Sequence, residues 1–80
     1  MILITSSQIK AARALLGITV ANLAELAGVG FTTIVRLESA DGVPKGNIKT
    51  FESVKRAFEN AGIEFIGTPD DGPGVRLHKK

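Results

Sequence analysis

The sequence predicts a mainly α fold, four helices followed by a short C-terminal β-hairpin. Three observations carry this expectation. Apolar residues recur at helical spacing in four separate stretches, and three of those stretches stop at a glycine. After Gly62 the pattern changes to short apolar runs around a segment rich in proline and glycine.

The first helix is expected over about 6–16. Thr5, three residues before Gln8, has the form of a capping box, Ile9, Ala12, Leu15 and Leu16 follow at helical spacing, and Gly17 ends the run. Thr19 caps a second helix of about 20–27, in which Val20, Leu23, Ala24 and Ala27 share a face and Gly28 supplies the stop. A third is expected over 31–39, with Gly30 as its cap and Ile34 and Leu37 on one side. The segment 41–46 is dense in turn formers and reads as a surface loop. From Ile48 the residues Phe51, Val54, Phe58 and Ala61 return to helical period, giving a fourth helix of about 48–61 with Lys49, Lys55 and Arg56 outward.

Ile63–Ile66 and Val75–Leu77 read as two short strands joined by a loop over 68–74, a β extension of about 63–78. An isolated hairpin is marginal in water, so it must pack on the helices, pair with Ile2-Leu3-Ile4, or pair with a second subunit. With 80 residues, all of this belongs to one domain, 1–80, because a chain of that size cannot divide its core.

Composition narrows the chemistry. The absence of cysteine removes disulfides and thiolate sites, and the single histidine, His78, reads as a solvated residue in a basic tail formed with Arg76, Lys79 and Lys80. Asp41, Asp70 and Asp71 lack a metal-ligand spacing, the serines have no neighbouring histidine base, and no glycine run forms a phosphate-binding loop. The expectation is no enzyme, no metal and no cofactor. The apolar run at the N-terminus is too short for a membrane span or a signal peptide, which makes the cytoplasm the expected location. A net charge of +2 permits a polyanionic partner without demanding one.

The most informative pattern lies at 19–38. Two short helices crossing steeply over a tight turn need a small residue where their axes approach, here Ala24, and a residue tolerant of positive φ in the turn, here Gly28. They also need apolar anchors, supplied by Leu23, Val29, Ile34 and Leu37. The segments Leu23–Val29 and Thr33–Glu38 resemble the helix-turn-helix of the lambda-repressor-like XRE (Cro/C1) family, over about residues 6–61.

That resemblance implies a small prokaryotic transcriptional regulator that binds double-stranded DNA, with the third helix in the major groove and the start of the second near phosphate. It implies DNA contacts from Phe31, Thr32, Thr33, Val35 and Arg36, with Thr33 nearer the backbone and Val35 at a thymine methyl. Arg36 is suited to the paired acceptors of guanine. The usual polar clamp must be replaced by Thr19 or by the backbone amides at the start of the second helix, because this chain has Val20 where the family often has glutamine. Phe31 stands where a polar residue is common, and either covers core or meets DNA. Lys45 and Lys49, with the amides of Gly46 and Asn47, fall where the fold touches phosphate after the third helix. Glu38 reads as a partner for Arg13 or another cation on the first helix.

The alternative is an interaction module of the same fold, such as an antitoxin holding a toxin, favoured by the apolar Val20 and Phe31. A homodimer is expected, because two half-sites are the usual route to specific affinity, with Phe65, Ile66, Val75 and Leu77 of the hairpin offering the interface.

Overall fold

The computed structural model describes residues 3–78, with Met1, Ile2, Lys79 and Lys80 outside the described residues. Four helices, α1 (Ser6–Leu16), α2 (Val20–Ala27), α3 (Phe31–Ser39) and α4 (Ile48–Asn60), precede a hairpin of β1 (Ile63–Thr68) and β2 (Asp71–Leu77). Family resemblance and local sequence signals thus lead to the same architecture.

The helix starts are built as their sequences require. The Thr5 hydroxyl accepts from the Gln8 amide while the Gln8 side chain accepts from the Thr5 amide. Thr19 and Asn22 make the same reciprocal pair at α2, and the Asn47 side chain accepts from the Lys49 and Thr50 amides at α4. The helix ends of α1 and α2 share one solution. Gly17 and Gly28 adopt the left-handed conformation, and in each case the next residue donates back across the turn, Ile18 to the Arg13 carbonyl and Val29 to the Ala24 carbonyl. A residue with a Cβ would be strained at Gly28, whose φ is 68°.

These tight connections force α2 and α3 to cross, the chain turning by 113° between them. Ile4, Ile9, Leu23, Ile34, Val54 and Phe58 are the large, fully buried side chains that join all four helices in one core. Leu15 and Ile48, although in phase with the apolar periods of α1 and α4, are exposed. The faces that pack are narrower than the periods suggested.

The hairpin packs on the helices and pairs only with itself among the described residues. Phe65 meets Phe58 edge-on at a centroid distance of 5.8 Å, and Val75 and Leu77 lean on the same core. Its strands run further than the sequence predicted, leaving only Pro69 and Asp70 between them instead of a loop over 68–74. The reason is a bulge between Ile66 and Thr68, which lets Thr68 still find Asp71 as its partner. Gly67 has φ of 75° and approaches so closely that a Cβ there would sit 2.1 Å from the Gly72 carbonyl oxygen. Glycine and proline marked an irregular strand pair here, not the absence of strand.

Arg76 is also repositioned. It lies within β2 and pairs with Glu64 across the hairpin, a contact shared with His78, so these two are not part of a free basic tail. Lys79 and Lys80, assigned to that tail, and Ile2, considered as a strand partner, fall outside the described residues.

Candidate nucleic-acid interface

Helix α3 is held from beneath and left open above. Ile34 and Leu37 are buried, Thr33 and Glu38 are half-buried, and Phe31, Thr32, Val35, Arg36 and Ser39 are exposed. The period of 3.6 residues separates these two sets, so a helix tied down by Ile34 and Leu37 must present Thr32, Val35 and Arg36 outward.

One polar contact fixes its orientation. Glu38 accepts two hydrogen bonds from the Arg13 guanidinium, from Nε at 2.7 Å and from Nη2 at 2.9 Å. Arg13 also donates to the Ile18 carbonyl, so a single side chain ties the end of α1, the α1–α2 turn and α3 together. Donation to the Glu38 carboxylate holds the Arg13 pKa above its ordinary value, against an opposing effect of burial. This is the pairing expected from the sequence, and its two-pronged form gives it directional stiffness.

Phe31, for which the sequence left two roles open, is 55% exposed, and Val35 is 40% exposed. Neither belongs to the apolar residues packed on the core. Val20 takes the other role and packs against that core as a partly buried residue. It therefore serves the fold in place of a polar clamp.

At the start of α2 the Thr19 amide is already paired with Asn22 Oδ1, and the Thr19 hydroxyl accepts from the Asn22 amide. What remains for an anion is the hydroxyl proton of Thr19 and the first-turn amides of Val20 and Ala21, which the helix's own ladder does not use. Sequence reading missed Asn22, although threonine followed three residues later by an amide side chain is the same signature that identified the α1 cap. At α4 the Lys49 amide is likewise bonded to Asn47 Oδ1, at 2.8 Å, which assigns Asn47 to capping as well as to the phosphate-facing loop foreseen for it.

Cations divide into two groups. Arg13, Lys55 and Arg76 have carboxylate partners at Glu38, Glu59 and Glu64. Lys10, Arg36, Lys45, Lys49 and Arg56 are exposed and have no ion-pair partner among the described residues, and of these Arg36, Lys45 and Lys49 lie on α3 or on the loop and helix start that follow it. Their charge is available to a ligand. The loop that carries Lys45 is anchored to α1, because the Ser6 amide donates to the Gly42 carbonyl at 2.9 Å and the Ser6 hydroxyl donates to the Ala40 carbonyl. No group of three or more histidine, cysteine or acidic residues able to hold a metal occurs among the described residues.

A helix-turn-helix family model matches residues 9–48, half of the chain and the whole of α2, α3 and the loop after them. No curated protein was found to match the chain.

Proposed function

Because the chain belongs to the helix-turn-helix family of the XRE (Cro/C1) type, a family of DNA-binding rather than catalytic domains, we propose that it is a sequence-specific regulator of transcription that reads the major groove with α3. The observation that carries the proposal is the outward face of α3, where the unpaired Arg36 stands beside Thr32 on a helix whose opposite face is locked into the core. An arginine in that position can donate two parallel bonds to guanine O6 and N7. Thr33 lies lower on the helix and suits the sugar-phosphate backbone. Thr19, Lys45 and Lys49 supply phosphate contacts on either side.

The protein acts as a homodimer on two half-sites in this reading, and works in the cytoplasm, where its DNA is. The hairpin offers less free surface for a dimer than its composition suggested, because Phe65, Val75 and Leu77 are partly used on the protein's own core. A second reading, an interaction module that holds another protein, is favoured by one observation: Leu26 on α2 is 59% exposed, as is Phe31 on α3 to a similar extent.

The test is binding to duplexes selected from a random pool, measured as a salt series for the wild type, Arg36→Ala and Lys45→Ala/Lys49→Ala. Arg36→Ala should lose about 1–3 kcal/mol of discrimination at one base pair, with little change in salt slope beyond the lost charge. The double lysine variant should bind all sequences more weakly, with the log-log slope shallower by roughly 1.8. Absence of duplex binding by the wild type at low salt would favour the protein-interaction module.

A further inference from the structure

Away from the outward face of α3, a cavity opens between Leu3, the end of α3 and the start of α4. Its floor is Leu37 and Phe51, both buried, and its walls are Leu3, Val43, Pro44 and Ile48, which enclose about 310 Å³. Leu3 and Ile48 are large, apolar and exposed, and Ile48 stays uncovered although it is in phase with the packed face of α4. Both stand at this cavity.

One side chain in the lining carries a charge. Lys45 has no ion-pair partner among the described residues, and no acidic side chain lines the cavity. A second positive feature comes from α4, a helix of 13 residues that starts at Ile48. Asn47 Oδ1 takes the Lys49 and Thr50 amides, which leaves the Ile48 amide as a first-turn donor outside the helix's own ladder, at the positive end of the helix. The loop is held in place. Pro44 stiffens it, and Ser6 donates to the Ala40 and Gly42 carbonyls at its other end.

Small-molecule sites are concave, mostly apolar and equipped with a few polar groups that fix orientation, with volumes from about 300 Å³ upward. An occupant matched to this cavity has an apolar body for the walls and one negative charge for Lys45. A protein helix, roughly 10–12 Å across, needs a longer groove. We propose that the cavity binds a small aliphatic carboxylic acid as its anion, and that occupancy weakens DNA binding by engaging Lys45. The site stands on its own geometry, while the effect on DNA rests on the groove-reading function above, in which Lys45 meets a phosphate. An ammonium paired with a ligand carboxylate is not free for phosphate, so the two ligands compete through one side chain, and linkage makes the antagonism reciprocal. The helix-turn-helix unit thereby senses a small molecule directly.

The experiment titrates the full chain with octanoate, with 1-octanol and octylamine as controls, and follows the methyl and amide NMR signals. Octanoate should saturate and move the signals of Leu37, Val43, Ile48 and Phe51, and octylamine should not bind. 1-Octanol binding to the wild type, and octanoate binding to Lys45→Met, should each be weaker by about threefold to fivefold, the range of an exposed ion pair. Ile48→Glu places a carboxylate at a first-turn position where it suits the helix, so the fold is kept and octanoate is repelled. Shifts scattered over the surface, 1-octanol as tight as octanoate, or an octanoate affinity unmoved by both substitutions would overturn the site.

For the effect on DNA, saturating octanoate should weaken binding to a selected duplex by the same factor as Lys45→Met, with the log-log salt slope shallower by about 0.9. Saturating duplex should weaken octanoate binding equally. An unchanged duplex affinity under saturating octanoate would overturn the competition and leave groove reading intact. Failure to select any duplex would overturn groove reading, and with it the competition, while the octanoate titration still decides the site.

Discussion

The hairpin end of α1 and the outward face of α3 treat their side chains in opposite ways. At the first, polar groups are buried and fully used. Gln8 is 3% exposed, and its carboxamide accepts from the Thr5 amide and donates to the carbonyls of Ile66 and Gly74, which face each other across the hairpin. At the second, two large apolar side chains and an unpaired guanidinium stand in water. Burying a carboxamide is tolerable only when its hydrogen bonds are made, and exposing a phenylalanine leaves apolar surface uncovered. The contrast separates the part of the molecule that is finished by folding from the part that is finished by binding.

Three measurements would break or sharpen that division. The largest effect is expected at Gln8, where Gln8→Leu leaves two carbonyls and an amide without their partner. Urea or thermal unfolding should report a loss of roughly 2–4 kcal/mol, with base preference retained in the protein that remains folded. An altered base preference at full folding would show that the two regions are not separate. By contrast Arg36→Ala and Phe31→Ala should change stability by no more than about 0.5 kcal/mol, as expected for exposed positions.

The Arg13–Glu38 pair lies between the two regions and should show both behaviours. Glu38→Ala leaves the partly covered guanidinium without its carboxylate and should cost about 1–2 kcal/mol, discounted from a fully buried pair because Arg13 is 26% exposed along its side chain. It should also weaken binding to selected duplexes, since α3 loses one of its anchors. A stability loss with unchanged affinity at a temperature where the variant is folded would show that the core alone orients α3.

The smallest effect is a pH dependence at the far end of the hairpin. The His78 ring at 2.6 Å, helped by Arg76, holds the Glu64 carboxyl below its ordinary value of 4.5. A depressed carboxyl contributes stability above its unfolded pKa, and that contribution disappears as pH falls through the folded pKa. Wild type and Glu64→Gln should therefore differ slightly in melting temperature near neutral pH and converge as the pH falls through the depressed pKa of Glu64. A difference that persists unchanged into acid would assign Glu64 a role independent of its charge. Sequence preference should not move in either protein.

The same division explains what could be read from the chain. The helices, their threonine caps and their glycine stops were legible because each is decided within a few residues, and Glu38 was legible because a carboxylate at the end of α3 calls for a cation on the neighbouring helix. The role of Gln8 beyond its cap was not, because its partners are backbone carbonyls 58 and 66 residues away, which no side-chain pattern announces. The longer strands were missed for a related reason: Gly67 and Pro73 are poor strand formers, and only the close approach to Gly72 shows why glycine is required within the pairing. At the candidate interface, the position of Phe31 could not be decided because its neighbours on the helix are both buried and exposed. The core had to close before the face it left open was defined.

The Gln8 bridge has a consequence for how the chain comes into being. Its capping contact with Thr5 is complete once the first helix forms, but the two carbonyls that satisfy the rest of its amide belong to the hairpin, which is made after all four helices. At roughly 5–20 residues per second, about 3–13 s separate the synthesis of Gln8 from that of Gly74. Once α3 is made and until the hairpin follows, the helix-turn-helix segment exists with one edge of its first helix unsealed, and its buried Ile4 and Ile9 await the residues that complete the core. The hairpin acts as a latch.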